Sequence, residues 1–112
     1  MADRVWRASN GRDVLIAEIQ CLPSPMGTAA DPYRHIEAAI AVLQGAGLKF
    51  EVGALGTTIE GDPDAVWRTI RAAHEACLAA GAGGLVSVVK FEQTASAATQ
   101  PTIASLTGKF RA

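Results

Sequence analysis

Two Asp-Pro dipeptides set the frame of this chain. Asp31-Pro32 and Asp62-Pro63 each open a stretch of helical spacing that ends in glycine and leads into a β-rich run. Asp accepts hydrogen bonds from the free amides of a first helical turn, and Pro fits the first helical position because no partner is lost there. After the first dipeptide, Ile36, Ala39, Ile40 and Leu43 mark one face at helical spacing, until Gly45 or Gly47 ends the run. After the second, Val66, Ile70, Ala73 and Cys77 trace a buried face that Gly81 closes. D-P-Y-R-H-I and D-P-D-A-V-W-R-T-I, each running through alanines to A-G, form a faint internal repeat.

Strands fill the spaces around these helices. V-L-I-A-E-I-Q-C, residues 14–21, reads as a buried strand, and the prolines and glycine of L-P-S-P-M-G-T-A-A read as a loop. Residues 48–52 and 55–60 pair as a hairpin across a turn at residues 53–56, and residues 85–92 form the last strand. Residues 93–100, Q-T-A-S-A-A-T-Q, read as a polar loop, and residues 101–109 as a short terminal helix. The order strand, helix, strand, strand, helix, strand predicts an α+β, ferredoxin-like βαββαβ sandwich: a four-stranded antiparallel sheet with two helices on one face. The 112 residues and 49% hydrophobic content suit one core, so residues 14–112 are read as a single domain behind an N-terminal extension, residues 1–13.

Several function classes fall away on composition. A formal net charge of -1 gives no general pull toward nucleic acid or an anionic membrane, and 5% aromatic content argues against a base-stacking platform. No apolar run approaches the ~20 residues of a membrane helix. The charged start M-A-D-R-V-W-R has no signal-peptide character, so a cytoplasmic protein is expected. Cys21 and Cys77 have apolar neighbours and no zinc spacing; buried free thiols are expected.

Strand alternation sorts the polar residues. In the first strand Leu15, Ala17, Ile19 and Cys21 face the helices, leaving Glu18 and Gln20 on the open face beside Val14 and Ile16. In the third, Leu55, Thr57 and Ile59 look inward, with Thr58 and Glu60 outward. In the last, Val89 and Phe91 look inward and Lys90 outward. Glu18, Gln20, Thr58, Glu60 and Lys90 then share one face with Val14, Ile16, Val86 and Val88, too much apolar surface for a monomer to leave bare. A sheet-to-sheet oligomer with a polar pocket at one end fits both observations. The plainer reading is a cross-strand Glu18–Lys90 ion pair worth about 0.2–1 kcal/mol, a solvated Glu60, and threonines present for β propensity.

Other candidates are weaker. His74-Glu75 lacks the second histidine of a zinc helix, and His74 reads as a partly buried structural residue. His35 reads as surface. G-A-G-G before the last strand reads as a helix stop rather than a phosphate cradle, and no serine sits in a nucleophile elbow. No metal and no cofactor are expected.

A-E-I-Q-x-L-P, G-L-K-F-E-V and above all G-T-T-I-E-G-D (residues 56–62) resemble the small thiamine-binding protein family, and A-H-E-A and V-S-V-V-K extend the likeness. Where family members carry an Asp- and Arg-rich segment after the last strand, this chain has Q-T-A-S-A-A-T-Q, and it begins about a dozen residues before the family pattern. The resemblance implies a ferredoxin-like fold, homodimers or homotetramers built through the sheets, and binding of thiamine or its hydroxymethylpyrimidine part without catalysis. On that reading Glu60 and Glu18 are the carboxylate partners, and Gln20, Thr57, Thr58 and Lys90 line the site. A carboxylate suits a cationic aminopyrimidine ligand, since a charge-assisted bond is worth roughly 1.5–3 kcal/mol. Two alternatives stay open: a small isomerase or monooxygenase using Glu60 or His74 as acid or base, and a structural assembly subunit with a filled open face.

Overall fold

The computed structural model describes residues 14–111, and the extension expected over residues 1–13 lies outside them. The elements are β1 (Leu15–Ser24), α1 (Arg34–Gly45), β2 (Lys49–Val52), β3 (Thr57–Gly61), α2 (Pro63–Ala79), β4 (Gly84–Glu92) and α3 (Ile103–Thr107). Short 3-10 turns cover Ala97–Thr99 and Gly108–Phe110. The strands form one sheet in the order β2-β3-β1-β4 with every neighbour antiparallel, as the ferredoxin-like reading requires. Both long helices pack on one face of it and against each other.

The core lies between those layers. Leu15, Ala17 and Ile19 of β1 and Ile59 of β3 meet Ala39 and Leu43 of α1 and Val66, Ile70, Ala73 and Cys77 of α2. The alternation in β1 and the spacing in α2 select these residues. Each buried Leu, Ile or Val contributes roughly 1.5–3 kcal/mol of transfer free energy. On the outer edge of the layer, Trp67 of α2 stacks on Phe91 of β4 at 4.2 Å between ring centroids.

The two Asp-Pro signals behave differently. Asp62 caps α2 as expected: its carboxylate accepts from the Ala65 amide at 3.1 Å, and Pro63 takes the first helical position. Asp31 caps nothing. Helix α1 starts at Arg34, with Tyr33 at the cap position and no side-chain cap bond. The Asp31 backbone belongs to the preceding turn instead, its amide donating to Thr28 Oγ1 at 3.0 Å and its carbonyl accepting from Arg34 N at 3.1 Å.

Residues around α1 shift accordingly. His35, expected at the surface, is buried, with Nδ1 2.8 Å from the Pro25 carbonyl oxygen. His35, Ala39 and Leu43, one helical turn apart, form the inward stripe, so Ile36 and Ile40 are only half-buried.

β1 also runs past the expected stop. Its pairing with β3 ends at Ile19↔Thr57, but β4 follows it to Ser24↔Gly84. Pro23 is therefore accommodated where β1 has a neighbour on one side only. Leu55, expected inward, is 81% exposed because β3 begins only at Thr57, after a turn closed by the Gly53 amide on the Gly56 carbonyl.

The C-terminal segment partly covers the sheet's other face. Gln100 fastens the polar loop: its Oε1 accepts from the Thr94 amide at 2.6 Å and its Nε2 donates to the Glu92 carbonyl at 3.1 Å. Thr102 and Ser105 then form a capping box that starts α3, which lies against β3. Ile103 of α3 is buried, and so is Ile16, although Ile16 belongs to the face away from the long helices.

Candidate functional site

Register places the polar residues in rungs across the open face. Glu51, Thr58, Glu18 and Lys90 stand side by side on β2, β3, β1 and β4. The next rung holds Lys49, Glu60, Ile16 and Glu92. In the other direction come Gln20 with Val88 and Leu22 with Val86, an exposed apolar end. Alternation in each strand dictates this sorting, and the hairpin turn fixes the offset between β2 and β3.

Glu18 and Thr58 are the centre of the polar end. A groove of about 470 Å³ is lined by Glu18, Thr58, Glu51, Arg111 and the β2–β3 turn. A second, of about 380 Å³, lies on the other side of the same pair, toward Lys90 and Glu92. Lys90 Nζ is 3.2 Å from Glu18 Oε1, and Arg111 Nη2 is 2.7 Å from Glu51 Oε1. All four side chains are well exposed, so each pair holds its geometry with no more than about 1 kcal/mol, and an incoming cation competes for the carboxylates. Gly56 passes so close behind Glu18 that a Cβ there would sit 3.4 Å from its side chain and 3.2 Å from the Ile19 carbonyl.

The helix side of the same turn holds a different cavity. It has a volume of about 230 Å³ between β1, α1 and the β2–β3 turn, with Leu43, Ile36 and Ile40 among its walls and Gln20 and Thr57 as its polar side chains. Gly53 and Gly56 line both this cavity and the polar groove, so apolar and acidic spaces meet at one turn.

The expected site residues therefore divide. Glu18, Thr58 and Lys90 come together on the open face. Gln20 lies one rung along and lines the apolar cavity. Thr57 is buried on the helix side and lines that cavity too. Glu60 is held by the chain itself: its Oε1 accepts from the Ile103 amide at 2.5 Å, at the first turn of α3. His74 lies on the helix side, so the sheet separates it from Glu60 and the two form no acid–base pair.

Glu51 and Arg111 were not foreseen. Glu51 was legible in principle, since the hairpin register that puts Thr58 outward puts Glu51 beside it. Arg111 comes from far along the chain, and no local pattern announces that contact.

A family model described as thiamine-binding protein matches residues 17–105. The chain belongs to that family. A UPF0045 protein of Clostridium perfringens is 32% identical over 80 residues, 71% of this chain and 82% of the relative. Another from Synechocystis is 40% identical over 67 residues, 60% of this chain and 55% of the relative. Among solved structures, a domain of unknown function (DUF77) from Bacillus cereus superposes with a TM-score of 0.76 at 29% identity, over 88% of this chain and 91% of its own. A Thermotoga maritima protein, described as a candidate for thiamine biosynthesis or salvage, gives 0.73 at 21% identity over 88% of this chain and 99% of its own, which establishes the shared fold alone.

Proposed function

We propose that this protein binds thiamine or its hydroxymethylpyrimidine part, performs no chemistry on it, and works in the cytoplasm as a homodimer or homotetramer packed through the sheets. The observation that carries the proposal is the meeting of the two spaces at the β2–β3 turn. An apolar cavity of about 230 Å³ lies below the ~300 Å³ typical of drug-sized ligands and suits a single ring. Gln20 and Thr57 supply the few polar partners such a ring needs. Across the turn, Glu18 and Glu51 offer two carboxylates to a cation, with the Thr58 hydroxyl between them. Family membership supports the ligand class.

Isothermal titration calorimetry with thiamine and with hydroxymethylpyrimidine tests the reading. Both bind, and Glu18→Gln weakens thiamine by about ten- to a hundredfold, the worth of one charge-assisted bond. Hydroxymethylpyrimidine, which lacks the thiazolium, loses less. The absence of heat from either ligand on folded protein refutes the proposal, and conversion of thiamine during incubation, followed by NMR, refutes its non-catalytic part.

A further inference from the structure

Four side chains on the helix side of the sheet form a cluster that ligand binding does not require. Cys21 and Ser87 are directly paired across β1 and β4, on the face that packs against α2. The Ser87 hydroxyl donates to Cys21 Sγ at 3.7 Å, and His74 Nδ1 lies 2.7 Å from the same hydroxyl oxygen. Cys77, one turn along α2 from His74, is wholly buried in the core cluster against which Cys21 packs. Both cysteines are free; Cys21 is half-buried and lines the 230 Å³ cavity.

The hydroxyl between thiol and imidazole can carry a proton either way. With Nδ1 unprotonated, Cys21 donates to Ser87 and Ser87 donates to His74. With Nδ1 protonated, the direction reverses and Ser87 donates to a Cys21 thiolate. These two arrangements are the ends of one proton transfer, and a hydroxyl at 2.7 Å from the ring nitrogen serves both.

We propose that Cys21 is a peroxide-reactive thiol and Cys77 its resolving partner, so that a hydroperoxide entering the cavity converts the pair to an internal disulfide. The Cys21 thiolate attacks the distal peroxide oxygen and the O–O bond breaks. The leaving alkoxide or hydroxide takes the proton held by His74, delivered through Ser87 or water, and Cys21 becomes a sulfenic acid. Cys77 sulfur then attacks Cys21 sulfur, the S–O bond breaks, and the departing hydroxide takes the Cys77 proton and leaves as water. Two thiols and one hydroperoxide give one disulfide, one alcohol (or water) and one water. Cys21 is the attacking sulfur because it lines the cavity while Cys77 is wholly buried; burial, and after it the neighbouring Cys21, also pushes the Cys77 thiol up from 9.0 to about 12. Oxidation of Cys21 to a neutral sulfenic acid removes the lesser of these causes and leaves burial in place.

The test treats the reduced, full-length protein with stoichiometric hydrogen peroxide and reads intact mass and free thiols. The expected product is monomeric in sequence, lighter by the mass of two hydrogen atoms, with both thiols lost and with a linked Cys21–Cys77 peptide after digestion. Dithiothreitol restores the mass. Cys77→Ser is expected to stop at a Cys21 sulfenic acid that dimedone captures. Alkylation of Cys21 by iodoacetamide in that background falls about tenfold or more in Ser87→Ala and is retained in Ser87→Thr, which keeps the hydroxyl. Persistence of both thiols, a disulfide between two chains, or oxidation of Cys21 to sulfinic acid with Cys77 still reduced would each overturn the proposal. So would equal alkylation rates in the Ala and Thr variants.

Discussion

Glu60 shows how a residue's role is decided by what reaches it. Sequence alternation put it on the open face beside Glu18, and register confirms that it is there, opposite Ile16. Its carboxylate nevertheless accepts the Ile103 amide and fixes the start of α3, which keeps Ile16 and Ile103 covered. Glu60→Ala is therefore expected to cost about 1–3 kcal/mol in urea unfolding and to speed hydrogen exchange at Ile103, because it leaves a half-buried amide without its charged acceptor. Glu60→Gln keeps a carbonyl acceptor and costs less. Thiamine affinity, in contrast, should follow Glu18 rather than Glu60. Cys77 supplies a second residue-level prediction. Its thiol stays neutral up to about pH 12 in the fold, against 9.0 in the unfolded chain. Below pH 9 it is protonated in both states and contributes no slope; above it, the unfolded chain releases the proton and the fold does not. Stability then falls with rising pH, by at most about 1.4 kcal/mol per unit from this group, and the fall is absent in Cys77→Ala. Denaturation midpoints at pH 8 and pH 10 for both proteins measure the difference.

At the scale of elements, the same dipeptide gave one right and one wrong helix start. Asp62 has an extended backbone (φ -53, ψ 132) that aims its carboxylate at the Ala65 amide, whereas Asp31 sits inside a turn already closed by Thr28. Asp62→Ala is expected to lose about 0.5–2 kcal/mol, and Asp31→Ala to stay within about 0.5 kcal/mol, in parallel urea titrations. The order of elements, the sheet and most of the core were legible because the periods of 3.6 and 2 survive in α2, β1 and β3. What was not legible depends on contacts between distant segments. β1 extends through Pro23 because β4 continues to pair with it, and His35 turns inward because the Pro25 carbonyl is there to meet it. The candidate site divides the same way. Glu18, Thr58 and Lys90 follow from alternation plus strand order, while Arg111 reaches Glu51 only because α3 folds back across the sheet.

For the molecule as a whole, the open face poses the remaining structural question. The C-terminal segment covers its Ile16 end, but Leu22, Val86 and Val88 at the other end stay exposed, with Val86 at 62%. An apolar strip on an edge strand and its neighbour invites a second sheet, and β4 presents that edge along nine residues. The proposed oligomer predicts that the protein sediments as a dimer or tetramer at micromolar concentration. Val86→Lys combined with Val88→Lys places two charges where the partner face would press, and is expected to give a folded monomer, since both side chains already point away from the core. The polar grooves around Glu18 open on the same face, so the proposed assembly and the proposed binding would be linked. A ligand held between sheets favours the assembled state by mass action, and the monomeric variant should then bind thiamine more weakly while keeping an intact Glu18. Sedimentation velocity with and without thiamine separates the cases. A wild-type chain that remains monomeric at all concentrations excludes sheet-to-sheet assembly. A monomeric variant with full affinity instead confines the site to one chain, with the ring and the cation both held around the β2–β3 turn.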